Sequence, residues 1–109
     1  MHALLEQNKE AVAELCRRFR VERLEVFGSA AAGDFKPDSS DLDFIVLFED
    51  ASAPGYADRY LDLAESLESC FGRKVDLLTE GMIRNPYFRR TVDQSRRVIY
   101  DRRSEEAAA

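Results

Sequence analysis

Two aspartates, Asp41 and Asp43, open the run Asp41-Leu42-Asp43-Phe44-Ile45-Val46-Leu47-Phe48, whose other six residues are apolar. Residues i and i+2 of a strand share a face, so both carboxylates project the same way, roughly 6.6 Å apart at the backbone. Carboxylates set into an apolar strand are costly unless something neutralises them. No Lys or Arg occurs from position 37 to 58, so sequence neighbours supply no counterion. A divalent cation is the simplest remedy. Asp76 repeats the anomaly between Val75 and Leu77-Leu78, where a solvent-facing strand residue is the plainer alternative. If the two strands are neighbours, three carboxylates meet at one edge of a sheet. Such a trio suits two Mg²⁺ ions about 3.5–4 Å apart, the clamp used for in-line phosphoryl displacement.

Gly28-Ser29 supplies a complementary anion site. The strand Leu24-Glu25-Val26-Phe27 stops there and runs into a short helical turn, Ala30-Ala31-Ala32, that ends at Gly33. Backbone N–H groups at such a junction are expected to be free, and the helix start carries partial positive charge. Gly28 would let a phosphate approach the backbone closely. Taken alone, Ser29 is as well explained as an ordinary helix cap. Its weight comes from the aspartates that follow.

The elements that must position these groups can be read from periodicity. Residues 3–19 carry Leu4, Leu5, Ala11, Val12, Leu15, Cys16 and Phe19 at helical spacing. Asp34 to Ser40, with Pro37, reads as a loop. Asp41–Phe48 reads as a strand covered on both faces, and Glu49–Gly55 as a linker. A second amphipathic helix presents Tyr56, Tyr60, Leu63, Ala64, Leu67 and Phe71, with Gly72 as its stop. Lys74–Leu78 is a third strand, Tyr87 to about Gln94 a helix, and Arg97–Tyr100 a last strand. Tyr87, Phe88, Arg89 and Arg90 form an aromatic–basic cluster suited to a partner surface, with core aromatics and solvated arginines as the plain alternative. The pattern predicts one domain over residues 1–103 and a disordered tail over 104–109. The fold class is α/β (α+β), a short mixed β-sheet with helices packed against it.

Composition narrows the ligands. The 109 residues include 16 Lys and Arg against 21 Asp and Glu, a net charge of −5. Nucleic-acid polymers are bound chiefly through cations, so a polymer is not the expected ligand. A triphosphate bridged by divalent metal remains compatible. No apolar run reaches the roughly 20 residues of a membrane span. The start, Met1-His2-Ala3, lacks signal-peptide character, so the expected location is cytoplasmic. Cys16 and Cys70 read as buried hydrophobes, and a single histidine leaves no Cys/His zinc set.

Gly28-Ser29, Gly33, Ser40-Asp41-Leu42-Asp43 and the later Asp76 together resemble the signature of the DNA polymerase beta-like nucleotidyltransferases, and its minimal single-domain branch, the MNT proteins, most of all. The likeness spans about residues 10–100. It implies a nucleotidyltransferase fold, ATP as nucleotide substrate and two Mg²⁺ as cofactor. It also implies that Gly28 and Ser29 hold the β- and γ-phosphates, that Asp41 and Asp43 ligate both metals, and that Asp76 helps activate the attacking hydroxyl. Many members carry Arg where this chain has Ala32, and eleven residues separate Ser29 from Asp41, one more than in many minimal members. Larger relatives add a domain for the acceptor. Here the acceptor is expected on another protein or a second copy, and minimal members are often antitoxins paired with a HEPN-type ribonuclease whose tyrosine receives AMP. The rival reading is a binding module of the same fold that neutralises its partner by contact. A purely structural domain with surface aspartates is the third.

Overall fold

The computed structural model describes residues 3–32 and 41–108, with side chains through Glu105. The expected loop Asp34–Ser40, and with it Gly33 and Ser40 of the motif, lies outside the described residues. Four strands, β1 (Val21–Phe27), β2 (Leu42–Phe48), β3 (Val75–Leu78) and β4 (Arg97–Asp101), form one sheet in the order β3-β2-β1-β4. β1 runs antiparallel to β2 and β4, and β2 parallel to β3. The helices are α1 (Ala3–Gln7), α2 (Lys9–Arg18), α3 (Ser29–Ala32), α4 (Tyr56–Phe71), α5 (Pro86–Ser95) and α6 (Arg102–Ala108), with a 3₁₀ turn at Glu80–Met82. The mixed sheet with packed helices is the fold class that the residue pattern implies.

Strand periodicity divides the sheet into two unlike faces. Leu42, Phe44, Val46 and Phe48 of β2 join Leu24 and Val26 of β1 in one buried cluster, closed by Val12 and Cys16 of α2 and by Leu63 and Leu67 of α4. Side chains buried this completely contribute about 1.5–3 kcal/mol each by leaving water, so this layer holds the domain together. The opposite face holds a smaller cluster of Phe27, Ile45, Ile83 and Val92 with Leu78 beside it, covered by α5 and the segment before it. Asp43 falls on this second face because it alternates with Leu42 and Phe44. The strand expected to be covered on both faces is so only in part, since Leu47 is 37% exposed.

Local chemistry explains the helix boundaries. Gly55 (φ +87°) precedes α4 and Gly72 (φ +64°) ends it, its N–H bonding the Glu68 carbonyl at 2.8 Å. Asn85 caps α5, its Oδ1 accepting from Tyr87 N–H at 2.8 Å and Phe88 N–H at 3.2 Å, with Pro86 as first helical residue. Three expectations need correction. The single helix over residues 3–19 is two, because Asn8 leaves helical geometry and its Nδ2 takes the Leu4 carbonyl at 2.9 Å. β1 begins at Val21, three residues earlier than the apolar pattern suggests, because Glu22 and Arg23 hide its first turn of pairing with β2. The tail from Ser104 continues as α6, tied back by Arg17 Nη1 to Glu105 Oε1 at 2.8 Å. Cys16 is fully buried, which pushes its thiol up to about 12; Cys70 is only half-buried.

Candidate active site

Asp43 and Asp76 are brought face to face by the parallel pairing of β2 and β3, in which they are register partners. Across the other ladder Asp43 is opposite Phe27, the residue before Gly28. The ends of three strands therefore carry the carboxylates and the Gly28-Ser29 turn to one end of the sheet's second face. Asp41 stands one residue before β2, exposed, and Asp76 is exposed while Asp43 is half-buried. Gly28 is required here for a steric reason. Its φ is +74°, and a Cβ added to it would lie 2.7 Å from Asp43 Oδ2. The close approach expected at Gly28 is thus made by the Asp43 carboxylate.

Electrostatics separate Asp43 from its neighbours. Its carboxyl is pushed up to about 6, first by burial, then by the charges of Asp76 and Asp41 and by a hydrogen bond with Asp76. None of these causes is a cation. A carboxylate held in that way is poised to accept one, and three hard oxygen donors match what Mg²⁺ takes. Among the described residues, no three acidic, His or Cys side chains converge closely enough to hold an ion as they stand. Asp43 and Asp76 are the fixed pair, and Asp41 lies outside the ladder that fixes them.

The Gly28-Ser29 turn, expected to hold phosphate, differs from its expected form in one respect. The Gly28 N–H, expected to be free, donates to Ser95 Oγ at 2.9 Å. α3 itself is a single turn whose Ala30 and Ala31 are buried and whose Ala32, the position of the family arginine, is exposed. Behind the site lies a group of residues that periodicity does not reveal. Glu25 is buried at 7% exposure and is gripped by Arg96, whose Nε and Nη2 reach its two oxygens at 2.8 and 2.9 Å. Arg96 also bonds Glu80, and Asp93 at 2.8 Å. Arg89 pairs with Glu80 and donates to the carbonyls of Glu80 and Ile83 at 2.9 and 3.0 Å. Glu80 is held below the usual carboxylate range by Arg96 and Arg89. Arg89 is therefore a brace of the fold, not the solvated arginine of the plain alternative, whereas Tyr87 is 76% exposed. A signal for Glu25 was present in the sequence as a charge inside Leu24-Glu25-Val26-Phe27; nothing local pointed to Ser95.

The apo protein should carry a pH signature of this site. Asp43 has a folded value of about 6 against 3.8 in a free carboxyl. The folded state therefore holds the proton more tightly, and the stabilisation from the neutral form is lost as pH rises from 3.8 to about 6. The melting temperature of Asp43→Asn relative to wild type is expected to rise across that window and level off near neutral pH. Mg²⁺ should raise the wild-type melting temperature at neutral pH and leave Asp43→Asn unmoved. An equal metal response in both proteins would remove Asp43 from the metal set.

The model of the nucleotidyltransferase domain family matches residues 9–99. A protein adenylyltransferase of Thermococcus cleftensis, MntA, is 38% identical over 72 residues, 66% of this chain and 69% of that protein. A solved structure described as a candidate minimal nucleotidyltransferase is 33% identical, with a TM-score of 0.68 over 85% of this chain and 90% of that one. A structure of a tri-AMPylated Shewanella oneidensis HEPN toxin in complex with an MNT antitoxin aligns with a TM-score of 0.60 at 18% identity, covering 95% of this chain and 78% of that one, a likeness of fold alone. Among the described residues, no helix is long and apolar enough to cross a membrane.

Proposed function

The chain belongs to the nucleotidyltransferase domain family as a minimal nucleotidyltransferase, and on that premise we propose that it moves AMP from ATP to a hydroxyl on a HEPN-type partner protein and thereby neutralises it. The observation that carries this reading is the pairing of Asp43 with Asp76 at the Gly28 turn, with the Asp43 carboxyl raised by burial and then by its carboxylate neighbours. Asp41, Asp43 and Asp76 would hold Mg²⁺. When bound, two such ions supply charge neutralisation on the phosphates and a lowered pKa at the acceptor hydroxyl.

The residues divide the remaining work. The acceptor oxygen forms a bond to the α-phosphorus as the bond to the β-phosphate oxygen breaks and pyrophosphate leaves. Asp76, the more exposed of the pair, orients the attacking hydroxyl and takes its proton. Ser29 donates its hydroxyl to the departing phosphates, so Ser29→Ala weakens transfer without abolishing it. The acceptor side chain is supplied in trans. The test is transfer of α-labelled phosphate from ATP to the protein encoded beside this chain: labelling that needs both Asp41 and Asp43 supports the reading.

A second reading, inhibition by contact alone, is favoured by two observations. Ala32 stands exposed where relatives present an arginine, and no three described side chains form a closed metal site. Neutralisation of an unlabelled partner, equal for wild type and for the Asp41/Asp43 double Asn variant, would select it.

A further inference from the structure

The Gly28-Ser29 turn is held from two directions. The Gly28 carbonyl accepts from Ala32 N–H at 3.0 Å, which closes α3, while the Gly28 N–H donates to Ser95 Oγ at 2.9 Å. Ser95 is the last residue of α5, 67 positions further along the chain. Its own hydroxyl hydrogen is directed back to the Thr91 and Val92 carbonyls, both at 3.4 Å, leaving an oxygen lone pair for Gly28. The following residue, Arg96, ties the same junction to Glu25 of β1 and to Glu80. The acceptor that Gly28 uses is therefore fixed to the sheet independently of the turn.

We propose that Ser95 is a positioning residue for the nucleotide's phosphates, acting through Gly28. The inference rests on the reading that the Gly28-Ser29 turn holds those phosphates. Glycine has the widest backbone choice of any residue, so nothing intrinsic keeps Gly28 at φ +74° with Asp43 Oδ2 2.7 Å from where a Cβ would stand. The hydrogen bond to Ser95 selects that conformation before any nucleotide arrives. A turn ordered in advance spares the ligand the entropy of ordering it. Removing the acceptor also leaves a half-buried N–H unpaired, and the turn relieves that by moving.

The experiment compares wild type, Ser95→Ala, Ser95→Thr and Asp93→Ala by titration with AMP-PNP and Mg²⁺, by hydrogen exchange of the Gly28 amide, and by thermal melting. Loss of one such hydrogen bond corresponds to about a tenfold change in an equilibrium. Ser95→Ala is expected to weaken AMP-PNP binding about tenfold and to speed Gly28 exchange by a similar factor, while Ser95→Thr keeps both near wild type. Asp93→Ala removes one arm of Arg96 without touching Gly28, so it should lower the melting temperature and leave AMP-PNP affinity unchanged. If Ser95→Ala does not fold, Ser95→Cys, of similar size but a poor acceptor, should show the same loss. Wild-type affinity in the folded Ser95 variant overturns the inference. So does an equal loss of affinity in Asp93→Ala, which would make the effect one of general softening. A wild-type protein that does not bind AMP-PNP overturns the nucleotide reading itself, and this inference with it.

Discussion

In an Asp43→Asn variant, transfer from ATP is expected to fall by more than about a thousandfold, beyond the 10²–10³ that loss of one preorganised donor costs in other enzymes. Asp43 is the half-buried member of the carboxylate set, faces Asp76 across β2 and β3, and lies against Gly28. An amide keeps its shape and nearly its volume, so packing survives. It removes the negative charge that would hold a divalent ion, and with it the neutralisation that phosphoryl transfer needs. The fold should be no less stable at neutral pH, because the carboxylate it replaces is held there against burial and two like charges. Asp76→Asn separates the roles further. It should reduce the chemical step more than AMP-PNP affinity, since its proposed part lies with the attacking oxygen. The check is single-turnover transfer alongside nucleotide titration. Transfer by Asp43→Asn within tenfold of wild type would exclude a metal-holding role for this residue.

Arg96→Ala should be the most destabilising single substitution on the second face, at about 3 kcal/mol, the lower end of what breaking a buried ion pair costs. Glu25 is buried and loses both hydrogen bonds from Arg96, keeping, among the described residues, the ion pair with Arg23 at 3.2 Å. Glu80 and Asp93 lose a partner as well. For a domain near this size, 3 kcal/mol lowers the melting temperature by about 10–20 °C. Arg90→Ala, at an exposed position of α5, should change stability by less than about 0.5 kcal/mol. Replacing Glu25 and Arg96 together by Met should recover much of the loss, because no unpaired buried charge is then left. A melting curve of Arg96→Ala that overlays wild type would show that the network carries no stability.

What the sequence made legible is local. The Asp41-Leu42-Asp43 spacing, the Gly28-Ser29 stop and the lone Asp76 sit within single elements, and a period of two places their faces without tertiary information. The α4 boundaries were readable for the same reason: Gly72 is a C-terminal stop within its own turn. The pieces that escaped are long-range or counter to pattern. Ser95 meets Gly28 across 67 residues, and Arg96 meets Glu25 across 71. No spacing rule links such pairs, and the strand order that brings them together is set by packing. The break at Asn8 hides because its neighbours keep helical periodicity on both sides. Arg89 looked like a surface cation since its partner, Glu80, lies in a 3₁₀ turn with no apolar pattern of its own.

Intact-mass measurement of the neighbouring gene's product, purified in complex with this chain and incubated with ATP and Mg²⁺, tests adenylyl transfer most directly. The predicted result is one or more adenylate increments on the neighbour with wild-type chain, and none with the Asp41/Asp43 double Asn variant, although both variants form the complex. A neighbour whose mass is unchanged by the wild-type chain, yet whose activity is still silenced, would contradict transfer and leave neutralisation by contact.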